Sequence, residues 1–262
     1  MLAIPAEQLS CGRPVGTVTL IPVGLLVVIT SASSPAPTLE ARTVVEKHIA
    51  AIGGLESLQA VQSLRQTGVE TIVDTAIDKD GKGVGGPFTL EARRPGRFRD
   101  ENRVNDQYSL QGSDGQITWE VSQPNSSAEE LSGEEAEEAL QMHAFDGPLL
   151  TARQLGGSIV FVGVETVGGS KAYKLKLPQK DKRFWNVYID TATFLEVKRE
   201  YVRPDERNTV IMLSGHKKTG SLVLPTVFET TYAWYPLRVT RVVEKTELNP
   251  EIPDERFVAP RR

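Results

Sequence analysis

The sequence predicts a mainly β (α+β) fold built on an antiparallel sheet or open barrel, with about eleven strands and about three helices. Apolar and polar residues alternate along most segments after residue 63. Turn residues recur about every ten positions. The chain also lacks the strand–helix–strand rhythm of a parallel sheet. Its 262 residues fit a single domain of this class after an N-terminal targeting segment.

We interpret residues 1–34 as a secretory signal peptide. Arg13 precedes the apolar run Gly16–Ile29, and the small-residue run Thr30–Ala36 follows it. This charged, apolar and small-residue order is typical of an export signal. We expect cleavage between residues 32 and 36, which leaves residues 35–262 as one domain in the periplasm or outside the cell.

The alternative for the N-terminal segment is an uncleaved membrane anchor. The apolar run is shorter than the ~20 residues that cross a bilayer, and it contains Pro22. Cleavage would also remove Cys11, the single cysteine of the chain. The mature domain would then contain no disulfide, thiol nucleophile or thiolate metal site.

Two helices are predicted at the start of the mature domain. Apolar residues recur at three- and four-residue spacing from Ala41 to Ile52, and Gly53-Gly54 ends this helix. A second, short helix is predicted over residues 55–61.

A third helix is predicted from Glu129 to Met142. Ser132 and Glu135 have capping-box spacing. Six glutamates in the first half of this helix are interpreted as a solvated face near a positive helix terminus.

The remaining segments are predicted to form strands, because their apolar residues recur with a period of two. The turn at Ser113-Asp114-Gly115 joins two of them, and residues 81–86 are interpreted as a mobile hairpin loop. The predicted strands cover residues 64–73, 88–93, 97–104, 108–110, 116–121, a segment from 159, 171–177, 184–189, 195–201, 209–213, 223–232 and 238–246.

Charge and motif content argue against several function classes. The net charge of -4 excludes the basic footprint of a nucleic-acid-binding protein. His48, His143 and His216 lack metal-ligand spacing, and we interpret each as a packed or surface residue. No G-x-S-x-G elbow occurs. The sequence therefore predicts a non-enzymatic protein without a metal or cofactor.

Aromatic and aliphatic residues along the strands are the candidate ligand contacts. A half-open sheet whose concave face is loosely covered by helices would leave an apolar pocket. The candidates from this pattern are Phe98, Trp119, Phe161, Tyr173, Trp185, Val187 and Ile189.

Two segments resemble the bacterial lipoprotein-carrier family of the LolA/LolB type. Residues 93–99 (RRPGRFR) are similar to its basic-Arg-Pro-x-x-Phe strand, and residues 113–119 (SDGQITW) to its Ser-Asp-Gly…Trp hairpin. The order of elements agrees over most of residues 38–260. The resemblance implies an open antiparallel half-barrel whose helices cover the concave face. It also implies that Arg94 hydrogen-bonds to the helical lid and helps to set its open or closed state.

The function implied is a periplasmic carrier of lipid or lipoprotein acyl chains. We expect a monomer, with envelope membrane proteins as further candidate partners. One alternative is a sensor or interaction module of the same fold that recognises a partner protein. A second is an exported hydrolase, which would require a catalytic carboxylate or Ser–His pair in a cleft. Salt bridges between the arginines of residues 93–99 and the glutamates of the third helix are also a hypothesis.

Overall fold

The computed structural model describes residues 39–105, 107–122 and 126–260. The predicted signal peptide and Cys11 lie outside these residues. The helices are α1 (Leu39–Ala51), α2 (Leu55–Ala60), α3 (Gly133–Met142) and α4 (Gly147–Gln154). The strands are β1 (Ser63–Asp74), β2 (Val84–Arg93), β3 (Arg97–Val104), β4 (Gln107–Asp114), β5 (Thr118–Val121), β6 (Glu129–Leu131), β7 (Val160–Val167), β8 (Ser170–Pro178), β9 (Phe184–Asp190), β10 (Glu196–Val202), β11 (Thr209–Ser214), β12 (Lys217–Thr219), β13 (Leu222–Leu224), β14 (Val227–Tyr232) and β15 (Tyr235–Leu248).

Thirteen of the described strands form one antiparallel sheet. Their hydrogen-bonded order is β6-β5-β4-β3-β2-β1-β15-β14-β11-β10-β9-β8-β7, and β12 pairs with β13 in a separate ribbon. The long strands β1 and β15 pair from Leu64↔Leu248 to Asp74↔Leu237 at the centre of the order. Because the end strands β6 and β7 do not pair with each other, the sheet stays open. The predicted class, an open antiparallel half-barrel with helices, is confirmed.

Several element boundaries differ from the prediction. Residues 129–131 are not helical: they form β6 on the edge of β5, and α3 begins only after Ser132. Ser132 is the N-cap as predicted, but its side chain makes no capping hydrogen bond. Helix α4 and strand β12 are additional elements. The strands β6 and β12 were not predicted because three residues are too few to show a period of two, and such strands are defined by their pairing.

Two of the predicted strand and loop assignments were also incorrect. Residues 84–86 extend strand β2 instead of belonging to a mobile loop, because they pair with β1 up to Ile72↔Val84. The predicted strand 223–232 is divided into β13 and β14. Pro225 lies in the break between them, as expected for a residue without a backbone N–H.

The largest hydrophobic core lies where α1 and α4 pack on β8, β9 and β10. The apolar stripe of α1 is buried as predicted, and His48 of this helix donates from Nδ1 to the carbonyl oxygen of Phe194 at 2.8 Å. Leu149 and Leu150 of α4 enter the same cluster. The most completely buried strand residues of this core are Leu175, Leu177, Trp185, Val187, Ile189 and Tyr201.

Candidate functional site: a cavity beneath helix α3

A cavity of about 600 Å³ lies between α3 and the concave face of the middle strands. A second cavity of about 180 Å³ adjoins it beside α2 and the loop after α3. The two share six lining residues: Gln66, Leu90, Met142, His143, Arg199 and Phe228. The larger volume is within the range of small-molecule sites, roughly 300–1,000 Å³.

Alternate residues of each strand form the cavity wall. On β14, for example, Phe228, Thr230 and Tyr232 face inwards, as expected for a side-chain period of two. On β15 the inward residues are Val239, Arg241 and Val243. The apolar part of the wall consists of Phe88, Leu90, Leu131, Met142, Ile211, Phe228, Tyr232, Trp234, Val239 and Val243.

A buried ionic network forms the polar part of the wall. The Arg241 guanidinium pairs with Glu70 through Nε and donates from Nη1 to Asp100 Oδ2 at 2.7 Å. Glu70 and Asp100 are both nearly inaccessible to solvent. Because an unpaired buried charge is costly, Arg241 and its two acidic partners depend on one another beneath α3.

The pKa directions follow from this network. Burial raises the pKa of Asp100, but the charges and hydrogen bonds of Arg241 and His143 outweigh burial and hold this pKa well below its ordinary value. Burial lowers the pKa of Arg241, and the two carboxylates more than reverse this effect. Asp100 and Arg241 therefore remain charged around neutral pH.

His143 closes the network from the end of α3. Its Nε2 lies 2.9 Å from Asp100 Oδ2 and its Nδ1 lies 2.9 Å from the Ala139 carbonyl oxygen. Both ring nitrogens are therefore engaged with protein oxygens. The ring also stacks on Phe98, with centroids 4.3 Å apart. This His–Asp pair therefore presents no free ring nitrogen to the cavity for general base catalysis.

The glutamates of α3 are not simply solvated. Glu137 accepts from Arg183 at 2.8 Å, and Glu138 accepts from Arg203 at 2.6 Å. Both arginines are buried. The prediction of a solvated face is therefore only partly correct. The sequence pattern could not show these ion pairs, because the partners lie more than forty residues apart along the chain.

The arginine partners of these glutamates also differ from the hypothesis based on residues 93–99. Arg93 and Arg97 both contact Asp254 near the C-terminus.

Burial raises the pKa of Glu138 despite its bond to Arg203, so the arginine does not fully offset the effect of burial on this carboxylate.

Arg94 lies at the turn between β2 and β3 and reaches the helices. It donates from Nη1 to the carbonyl oxygens of Leu58, at 2.9 Å, and Val61, at the end of α2. Its Nη2 pairs with Asp146, and its guanidinium lies 4.5 Å from the centroid of the Phe145 ring. We call residues 133–147, which comprise α3 and the loop to α4, the lid. Arg94 thus connects the lid to α2.

The residues predicted to contact a ligand lie outside the lining of the two cavities. None of the predicted side chains lines either cavity. Phe161 and Tyr173 pack at the edge of the main core, whose interior contains Trp185, Val187 and Ile189. The Trp185 indole reaches α3, where it donates to Gln141 Oε1 at 2.8 Å. Ligand contact by these residues stays a prediction.

Phe98 and Trp119 lie on opposite faces of the sheet. Phe98 faces inwards and packs with Ala139 of α3. Trp119 packs with Leu110 and Val121 and donates to the Phe257 carbonyl oxygen at 3.0 Å, whereas its neighbour Glu120 lines the cavity. An alternating pattern separates two faces but does not say which one is concave.

Sequence reasoning missed the charged residues of the cavity. Glu70, Asp100 and Arg241 each occupy an inward position of a strand, where alternation favours an apolar residue. A charge that interrupts the apolar face of a strand is the signal that could have identified them. Among the described residues, no group of three or more His, Cys, Asp or Glu side chains could hold a metal ion.

Comparisons with known proteins rest on structure. No family model matches the sequence, and no curated protein matches it. A LolA superfamily protein from Nitrosomonas europaea is similar with a TM-score of 0.52 at 14% identity, over 83% of this chain and 97% of that chain. The chain has the LolA-like fold.

Two further structures share the LolA-like fold. A domain described as an outer membrane lipoprotein-sorting protein, from Vibrio parahaemolyticus, has a TM-score of 0.57 at 10% identity. A DUF1329 family protein from Desulfovibrio piger has a TM-score of 0.56 at 14% identity. Each match covers 83% of this chain and 97% of the other chain. Within the described part of the LolA-like chain, no helix has the length and apolar content required to cross a membrane.

Proposed function

We propose that this protein is an exported carrier that binds the acyl chain of a lipid or lipoprotein in the cavity beneath α3. The observation that carries the proposal is the cavity itself, about 600 Å³ in volume, with apolar side chains from both the sheet and the lid. The descriptions of the similar structures as lipoprotein-sorting and LolA superfamily proteins support this choice of ligand class.

Burial of an acyl chain supplies the binding free energy. Each methylene moved from water into an apolar site contributes about 0.8 kcal/mol, so a chain of ordinary length gains on the order of 10 kcal/mol before costs. Ordering of the chain and of the lid offsets part of this gain. The remainder gives reversible binding, which a carrier requires.

The contacts of the lid are suited to opening. Of the α3 residues, Ala139 is the buried one, and the helix is otherwise held largely by polar contacts. These include Glu137–Arg183, Glu138–Arg203 and Gln141–Trp185. Arg183 and Arg203 are buried in this arrangement, and water can replace their glutamate contacts when α3 lifts, whereas the surface of a separated apolar interface has no such compensation.

Blocking the cavity tests the proposal. Leu90 on β2 lines both cavities, and Leu90→Trp would fill the space that they share. We expect displacement titrations with a fluorescent fatty-acid probe to show at least about ten-fold weaker binding for this variant. The purified wild-type protein should also carry lipid in native mass spectrometry.

Val69→Trp is the matched control. Val69 lies on the adjacent strand β1, is 39% exposed, and does not line either cavity. Its variant should bind the probe as the wild type does. Wild-type protein that binds no acyl probe, or equal binding by both variants, would contradict the proposed function.

A further inference from the structure

The cavity carries more negative than positive side chains. Among its described lining residues are two guanidinium groups, Arg199 and Arg241, and five carboxylates: Glu70, Asp100, Glu120, Glu135 and Glu138. Glu70, Asp100 and Glu138 are paired with arginines. Glu120 and Glu135 make no ion pair with any described residue. They lie on different walls, since Glu120 belongs to β5 and Glu135 to α3.

Two buried oxygens of the wall lack a hydrogen-bond partner within the described structure. One is Oδ1 of Asp100, whose side chain is 7% exposed, and the other is Oγ1 of Thr209, which is 2% exposed. Both residues line the larger cavity. The carboxylate oxygen of Asp100 can only accept a hydrogen bond, and the Thr209 hydroxyl can accept or donate one, so a ligand that carries N–H groups would satisfy both.

Aromatic side chains also belong to the cavity wall. Phe88, Phe228, Tyr232 and Trp234 all line the cavity, and Trp234 is 45% exposed. The Arg241 guanidinium already lies 5.0 Å from the centroid of the Phe88 ring. Aromatic faces next to carboxylates attract organic cations, because both offer negative potential to a positive group.

We propose that the amphiphile taken up by this cavity carries an ammonium or amine group, which Glu120 and Glu135 receive while the acyl chain lies on the apolar wall. This inference rests on the proposed function, because the acyl chain supplies most of the binding free energy. It adds selectivity for the head group: an anionic head would meet uncompensated carboxylates, whereas a cationic head would balance them.

Three probes with the same dodecyl chain test the inference. We would titrate the full chain with dodecylammonium, dodecanoate and dodecyl maltoside, each below its micellar concentration, by isothermal titration calorimetry. The cationic probe should bind about ten-fold more tightly than dodecanoate, with the maltoside between them. The double variant Glu120→Gln/Glu135→Gln should lose this preference and retain binding of the maltoside.

The double variant Glu56→Gln/Glu130→Gln is the control. It removes the same number of charges from exposed positions outside the cavity and should keep the wild-type preference. Equal binding of all three probes, tighter binding of dodecanoate, or an unchanged preference in Glu120→Gln/Glu135→Gln would overturn the inference and leave the acyl-binding function intact. Failure of all three probes to bind would instead overturn the proposed function as well.

Discussion

The concave face has two regions that are built differently. In the filled half, α1 and α4 press on β8–β10, and core residues such as Leu175, Trp185 and Ile189 are at most 1% exposed. In the open half, residues of α3 and of the strands β1–β5, β11, β14 and β15 line the cavity of about 600 Å³. One sheet thus supports a packed core at one end and a hollow at the other.

The two regions differ in the charge of their inward-facing residues, and charged inward residues accompany the part of the concave face that helices do not fill. Inward residues of β8 and β9 are apolar, so helices can pack directly against them. Inward residues of the open half include Glu70, Asp100 and Arg241. These groups require one another as partners and cannot be covered by an apolar helix face without a desolvation cost.

Truncation of one aromatic residue in each half should give the largest contrast. Trp185 is fully buried and hydrogen-bonded to Gln141, so Trp185→Ala should lower the free energy of unfolding by about 3–5 kcal/mol. Phe228 lines both cavities and is only partly buried, so Phe228→Ala should cost less than half as much. Urea unfolding followed by circular dichroism gives both values, and similar losses would refute the distinction between the halves.

Removal of Arg94 should weaken the connection between the lid and α2, with a smaller effect on the free energy of unfolding. Arg94→Leu loses its hydrogen bonds to α2 and its ion pair with Asp146, and we expect a loss of about 1–2 kcal/mol. Release of a bound acyl probe should become several-fold faster, as stopped-flow fluorescence would show. Val121→Ala truncates a buried residue that lines neither cavity and provides a comparison of similar stability. Equal release rates in the two variants would identify Arg94 as merely structural.

Acid should weaken the open half through Asp100. The folded-state pKa of this residue is depressed below the value for an unfolded chain, so its stabilising contribution is present above about pH 5 and is lost as pH falls towards the folded-state pKa. Asp100→Asn lacks this contribution. The stability difference between wild type and variant should shrink by about 1 kcal/mol or more between pH 7 and pH 3. A pH-independent difference would show that the carboxylate charge is not what Arg241 and His143 stabilise.

Much of the fold could be predicted from local patterns. The strand Arg97–Val104 and the buried stripe of α1 match their predicted positions closely, because alternation and helical periodicity are written in adjacent residues. The short strands β6 and β13 could not be placed in the same way, since three residues are too few to show a period and the strands are defined by their pairing with β5 and β12. Arg94 was identified through its motif. The structure places its guanidinium against Asp146, and its effect on lid opening stays a prediction.

From the sequence alone, the fold class and the alternating faces of the strands could be predicted. The tertiary structure decided which face is concave, which half is filled, and that Glu70, Asp100 and Arg241 meet beneath α3. The physical reason is that a period of two assigns residues to opposite sides of a strand, whereas the curvature of the sheet and the pairing of charges 141 and 171 positions apart arise only when distant strands come together.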